Sequence, residues 1–434
     1  MRMKLLPACA ALFLSVSAPA FAGDFYTPAA GAVSGKPGSI IRAEPFAAPP
    51  GASAAYKVLY RSTTGNGKPV AVSGIIVVPK TEAPAGGRPV VSWAPATSGV
   101  ARSCARSMFP NVYENMYGLQ DMLARGFVVA ATDYPGLGTP GTHPYLIGAD
   151  QGHAVLDMAR AARALPDAKA SNQFVAAGYS QGGHASLFAG QLAARYAPDL
   201  KLRGVAASAP PTDLGALIRE SSDDPVGRVF ATFALASWSK LYGISTDGVV
   251  PKHLGLVVKN IASGCNMDTG QTLKLLFIEQ AFEREGFLKP GVDVTATAPW
   301  KNLMAKNSPG AMPSGVPVFL AQGTADTIVR PSVTQAYADR VCARGTPTSL
   351  VPVKGGHFET GAAAAKPMTA WIADRFTGKA APSDCGVPMA ADAPAKKAAK
   401  KESGPASSVV RTNIPAEKRF FIVDAQTQRD GRGS

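Results

Sequence analysis

The chain has 434 residues, of which 46% are hydrophobic and 17% charged. That is material for one large or two ordinary globular domains and excludes a chain disordered throughout. The formal net charge is +14, but the Lys and Arg are dispersed and no basic stripe is interleaved with aromatics. A basic solvated surface is expected, with no nucleic-acid partner.

The first residues read as an export signal: a basic "MRMK", an apolar "LLPACAALFLSVS", then "APAFA" with the small-residue cleavage pattern. Cleavage is expected after Ala22. "LPAC" around Cys9 loosely resembles a lipoprotein signal, but the apolar run follows the cysteine where it should precede it. No later stretch offers the roughly 20 uninterrupted apolar residues of a membrane span, so the expected product is soluble, secreted or periplasmic, with no integral membrane segment. Without the leader the cysteines are Cys104, Cys265, Cys342 and Cys385, an even set in an oxidising compartment. Pairing them from spacing alone leaves every connectivity open. None are spaced C-x-x-C and the histidines are scattered, so neither a metal site nor a cofactor is expected.

Residues 23–55, rich in Gly, Pro and Ala, read as an extended arm. "AYKVLYRSTT" and "PVAVSGIIVVP" read as strands joined by the turn "GNGK". From Pro89 strands and helices alternate: "PVVSWA", a helix near 111–125, "FVVAATDY", a helix near 151–165, "QFVAAGYS", a helix near 181–196, and "LRGVAASAP". Near-continuous apolar strands separated by helices indicate a mostly parallel sheet covered on both faces, an α/β class. The alternation stops over 211–313, where helical runs such as "VFATFALASWSKLYG" and "TLKLLFIEQAF" suggest a cap over the strand ends. These runs either pack all round within the cap or line an acyl groove. Alternation then resumes with "VPVFLAQG", a helix near 331–344, "TSLVPV" and a closing helix near 365–376. The core thus divides into 56–210 and 314–386, and 387–434 reads as a disordered basic tail whose "RFFIVDA" patch receives no role.

Within "FVAAGYSQGGHASLFAG" the strand ends at Gly178-Tyr179-Ser180-Gln181-Gly182 and a helix begins. A G-x-S-x-G segment in that setting is a nucleophile elbow: small flanking residues permit a strained turn that lifts the serine hydroxyl above the sheet. The following helix start favours a developing oxyanion, to which the Gln181 N–H can donate.

A serine hydroxyl needs a base, and the base an orienting acid. Of the histidines well downstream, His253 lies in the expected cap, whereas His357 in "KGGHFET" follows the last strand and is the candidate base. Asp326, in "VFLAQGTADTIVRP", follows the preceding strand and is the candidate acid. Asp133 in "ATDYPGLG" precedes the serine and is read as shaping the loop that walls the site.

"PVVSWAPATSGVARSC", "TDYPGLGTPGTHPYL", "GYSQGG", "GTADTIVRPSVTQAYADRVC" and "GGHFET" together resemble the secretory lipase family of α/β-hydrolases, over roughly residues 50–386. The resemblance implies the α/β-hydrolase fold, a Ser180, Asp326, His357 triad, and action on carboxylic esters of lipids and small acyl donors. It also implies disulfides Cys104–Cys265 and Cys342–Cys385. Many bacterial members carry His-Gly where this chain has Pro95-Ala96. Pro95 has no N–H, so the second oxyanion donor falls to Ala96 or Thr97, of which Thr97 is preferred.

The function expected is therefore that of an exported, monomeric serine esterase or lipase acting on a small-molecule or lipid ester. Its alternatives are a peptidase of the same fold and a non-catalytic binding protein that has kept the fold.

Overall fold

A computed structural model describes residues 24–266 and 269–389; the expected leader and nearly all of the expected tail lie outside them. The strands are β1 (Ile40–Phe46), β2 (Ala52–Thr63), β3 (Pro69–Pro79), β4 (Arg88–Ala94), β5 (Val128–Thr132), β6 (Ala170–Tyr179), β7 (Lys201–Ser208), β8 (Val318–Gly323) and β9 (Thr348–Val353). They form one sheet of order β1-β2-β3-β5-β4-β6-β7-β8-β9. Pairings from β5 through β4 to β9 are parallel, and those of β1, β2 and β3 antiparallel. This is the α/β-hydrolase architecture.

Helices α1 (Leu119–Ala124), α2 (Gly148–Ala164), α3 (Gln181–Tyr196), α9 (Pro331–Cys342) and α10 (His357–Phe376) cover the sheet, whereas α4 (Leu214–Ser221), α5 (Pro225–Tyr242), α6 (Gly255–Ser263), α7 (Thr269–Glu285) and α8 (Trp300–Lys306) form an insertion between β7 and β8. The sheet is buried on both sides because alternate side chains along each strand serve different layers. In β4, Val90 and Ala94 join a core with residues of α2 and α3, while Val91 and Trp93 join a second core with residues of α1 and α10. The insertion has its own apolar core around Phe233, Trp238, Phe282 and Trp300.

Three elements differ from the sequence reading. The expected arm contains the edge strand β1 and the start of β2; the charges and proline of "IIRAEPF" obscured a strand whose outer side faces solvent. The helix expected near 111–125 is interrupted: a short turn, Val112–Asn115, precedes α1, and Gly118 between them is left-handed at φ 84°. The closing helix begins at His357, well before the expected 365, because the Glu359 carboxylate accepts from the Gly356 N–H at 2.9 Å and caps its first turn. Gly361 lies inside that helix. A Cβ there would sit 2.3 Å from the Tyr117 ring, so only glycine permits the contact.

Both disulfides are present. Cys104–Cys265 ties the loop after β4 to the insertion, and Cys342–Cys385 ties α9 to the segment beyond α10.

Candidate active site

The site is assembled at the carboxyl edge of the parallel strands. Ser180 sits at the β6–α3 turn with φ 54° and ψ −119°, a positive-φ conformation that a residue with a side chain adopts only under constraint. The constraint is visible: the Ser180 N–H donates to Ser208 O at 2.8 Å at the end of β7. On the other side the end of β4 presses against the elbow. A Cβ on Gly182 would lie 1.8 Å from the Ala94 carbonyl oxygen, so the second glycine is required by that approach.

His357, at the start of α10, turns its Nε2 to Ser180 Oγ at 2.9 Å and its Nδ1 to Asp326 Oδ2 at 2.8 Å. All three side chains are buried. The Asp326 carboxylate is held on both oxygens: Oδ1 accepts from the N–H groups of Ile328 at 2.9 Å and Val329 at 2.8 Å, and Oδ2 also accepts from Gln322 Nε2 at 3.0 Å. Tyr179 OH donates to His357 O at 2.7 Å and fixes the backbone beneath the imidazole. A fixed carboxylate, an imidazole and a hydroxyl in line form a proton-relay geometry suited to nucleophilic acyl transfer. His253 is exposed on the insertion, 3.6 Å from Glu285, and takes no part.

Gln181 opens α3, so its N–H is among those a helix leaves unpaired within itself. Its side-chain amide donates to His143 Nε2 at 3.1 Å, while His143 Nδ1–H donates to Pro135 O at 3.0 Å. Burial pulls the His143 imidazole down to about 4, so at neutral pH it is uncharged and free to accept. Thr97 is buried in the loop after β4, its hydroxyl sharing a 2.9 Å hydrogen bond with Tyr145 OH.

Asp133 is an anchor beside the site. Its carboxylate accepts from the Ser107 N–H at 3.0 Å, from Ser107 Oγ and from Ser73 Oγ at 2.7 Å. Sequence reasoning missed Tyr134, His143 and Tyr145, although all three lie in the stretch "TDYPGLGTPGTHPYL". It also missed Arg106, which carries no local signal.

Above Ser180 and Gln181 lies a cleft with about 530 Å³ of empty space, open mouth included, walled mainly by apolar side chains of α4 and α5 and by Ile328 and Val329. On α5 the wall is Gly227, Phe230, Ala231, Ala234 and Trp238, which the 3.6-residue period places on one face. Ala236 and α7 do not reach it; they pack in or on the insertion's own core. Among the described residues no cluster of His, Cys, Asp and Glu is placed to hold a metal ion, and no helix is long and apolar enough to cross a membrane.

The model of one protein family, described as secretory lipase, matches residues 111–384. The chain belongs to the secretory lipase family. It is thereby a carboxylic ester hydrolase by class. Among curated relatives it is 27% identical over 356 residues to a secreted triacylglycerol lipase of Malassezia globosa, covering 76% of this chain and 74% of that one. It is 27% identical over 395 residues to a trichothecene C-3 esterase of Fusarium sporotrichioides, covering 81% and 83%. It is also 25% identical over 376 residues, 82% of each chain, to a Mycobacterium tuberculosis protein named "probable inactive lipase". Among solved structures, Candida antarctica lipase A shares the fold with a TM-score of 0.69 at 18% identity, covering 86% of this chain and 89% of that one.

Proposed function

We propose that this family member hydrolyses carboxylic esters through a covalent acyl-enzyme on Ser180, with His357 as general base and then general acid, and Asp326 as the group that orients it. The observation that carries the reading is the unbroken line from Ser180 Oγ to His357 at 2.9 Å and from His357 to Asp326 at 2.8 Å. As Ser180 Oγ attacks the ester carbonyl, His357 Nε2 takes its proton. The carbonyl oxygen becomes an oxyanion, received by the N–H groups of Gln181 and Thr97. Collapse expels the alcohol, to which His357 returns the proton. Water, deprotonated by the same histidine, then releases the acid. Asp326, accepting from Nδ1–H, holds the tautomer that leaves Nε2 free to act as base and stabilises the transient imidazolium.

The apolar cleft between α4 and α5 supports an aliphatic acyl group as its occupant. The relatives' names range from a triacylglycerol lipase to an esterase of one small alcohol, so chain length is the variable to measure. The leader-like N-terminus and the two disulfides support action outside the cytoplasm. The triad is complete within one chain, so the chemistry needs no residue from a second copy.

A fluorophosphonate probe with peptide mapping tests the reading. Wild type should be labelled at Ser180 and Ser180→Ala left unlabelled. A folded wild type that neither labels nor hydrolyses p-nitrophenyl esters would favour a binding protein, and the relative named as inactive gives that outcome weight. An aminoacyl amide turned over faster than any ester would favour a peptidase.

A further inference from the structure

The loop after β4 has a property that the triad does not account for. Three successive carbonyls, Pro95, Ala96 and Thr97, are all taken by side chains from elsewhere. Tyr134 OH donates to Pro95 O at 2.8 Å. The Arg106 guanidinium donates to Ala96 O from Nε at 3.3 Å and Nη2 at 3.1 Å, and from Nη2 to Thr97 O at 3.2 Å. Arg106 is buried at 6% exposure, and a buried cation spent on backbone carbonyls is an unusual outlay.

We propose that Arg106 and Tyr134 are positioning residues that hold this loop so that the Thr97 N–H faces the oxyanion. The inference rests on the ester-hydrolase reading of Ser180. A trans peptide is planar, and its C=O and N–H point in opposite directions. The Ala96 carbonyl and the Thr97 N–H belong to one peptide unit, so pulling the oxygen towards Arg106 turns the N–H away from it. Pro95 contributes no N–H to this loop, and the donor must come from a peptide that nothing in regular secondary structure orients. A cation on the acceptor end also polarises the peptide and strengthens its N–H as a donor.

The clamp is itself anchored. Ser107, the neighbour of Arg106, is held through its N–H and hydroxyl by Asp133. Tyr134 takes a positive φ of 71° directly after Asp133, the geometry that sends its ring back under the loop. Burial pulls the Arg106 guanidinium down to about 10, with nearby Tyr117, Tyr134 and Asp133 opposing that pull, so it is charged at neutral pH. Beyond the clamp the chain is tied to the insertion by Asn266 N–H donating to Ser98 O at 2.7 Å and by Cys104–Cys265.

The test compares Arg106→Met, Arg106→Lys and Tyr134→Phe with wild type on p-nitrophenyl butyrate. A trifluoromethyl ketone, which adds the serine and forms an oxyanion, is compared with its unfluorinated methyl ketone, which does not. Arg106→Met should lose about 100-fold in kcat with KM within about threefold, Arg106→Lys about tenfold, and Tyr134→Phe about fivefold. Affinity for the trifluoromethyl ketone should fall in step with kcat, while affinity for the methyl ketone holds. If Arg106→Met does not fold, Arg106→Lys and Tyr134→Phe carry the same readout. Turnover within about twofold of wild type in the folded variants overturns the clamp, as does loss in which both ketones weaken together in proportion to a lower Tm. Ser180→Ala separates the two claims. Full activity in it removes the underlying reading, whereas an inactive Ser180→Ala beside an unaffected Arg106→Met removes only the clamp.

Discussion

Replacing Ala234 by Trp should cap the length of acyl chain the enzyme accepts. Ala234 is buried at the edge of the insertion's core and lies on the face of α5 that lines the cleft above Ser180, so an indole at that position fills part of the narrow cleft and lies across the path of an acyl chain. Each methylene that loses its burial forfeits about 0.8 kcal/mol, or about fourfold in kcat/KM. Octanoyl carries several methylenes beyond butyryl; if the indole excludes four of them the deficit is about 3 kcal/mol, or about 200-fold. Acetate and butyrate esters should stay within about threefold of wild type, since their carbons end before the obstruction. Ala236→Trp is the internal control. Ala236 packs on the insertion's own core and not on the cleft, so the larger side chain should lower Tm by overpacking without tilting the chain-length profile. The assay is a series of p-nitrophenyl acetate, butyrate and octanoate on the three proteins, with Tm beside it. Equal loss on all three esters in Ala234→Trp, or a profile in Ala236→Trp that tilts just as much, would refute the assignment of the acyl group to this cleft.

Ser180→Ala and His357→Ala should each lower kcat by at least about 10⁴-fold with Tm nearly unchanged, and Asp326→Ala by less; near wild-type turnover in Asp326→Ala would mean that another group orients His357. Removing Cys104–Cys265, which spans 161 residues, should destabilise by up to about 5 kcal/mol, and Cys342–Cys385, spanning 43, by up to about 4, both upper figures on the chain-entropy model; denaturant midpoints unmoved by reduction would contradict this. Stability should also fall between about pH 6.5 and pH 4, because burial pulls His143 and His184 down to about 4, and a base whose folded pKa is depressed contributes stability that is lost as pH drops below its unfolded value. The loss is on the order of 3 kcal/mol for each histidine as an upper bound; burial pulls Asp157 up to about 6, which acts with the opposite sign in that window, so Asp157→Asn should steepen the decline, and a flat profile in that variant would refute the argument.

What could be read in the sequence and what could not divide along a physical line. The nucleophile turn is local: Gly178, Ser180 and Gly182 carry their conformational demands in their own identities, and the flanking strand and helix announce themselves by apolar pattern. Asp326 and His357 were legible for a related reason, since each follows a strand of the parallel sheet and loops at strand ends carry the chemistry in such sheets. Arg106 was not legible, because its partners are main-chain carbonyls, which every residue possesses, and one arginine in a basic chain carries no mark of burial. His143 was hidden likewise: only the fold sets its ring against Gln181, 38 positions away. The sequence leaves the helical run of α7 open between packing within the cap and lining a groove. Its apolar content resembles that of α5, yet Phe277 and Leu273 are exposed at 73% and 53%, and no pattern of hydrophobicity alone distinguishes a wall of the cleft from the far side of the insertion.

The attachment of the insertion bears on what limits the acyl chain. Were the insertion free to swing, the cleft would have no fixed width and a side chain at 234 could be avoided by opening. The contacts argue against that freedom on the side nearest the site. Ser237 Oγ on α5 donates to His143 O at 2.6 Å and accepts from the Tyr145 N–H at 3.1 Å, and Trp238 Nε1–H donates to Tyr145 O at 2.8 Å. Asn307, after α8, accepts from the Gly148 N–H at 3.1 Å through its side chain and from His184 Nε2–H at 2.7 Å through its backbone. These bonds are buried, so breaking them without replacement costs about 1–3 kcal/mol for each group left unpaired. The face of α5 that carries Ala231 and Ala234 is therefore held against the core by its neighbours Ser237 and Trp238, and the width of the cleft follows from which side chains occupy that face. That is why a single indole is expected to act as a ruler, and why its effect should depend on carbon number and not on the alcohol that leaves.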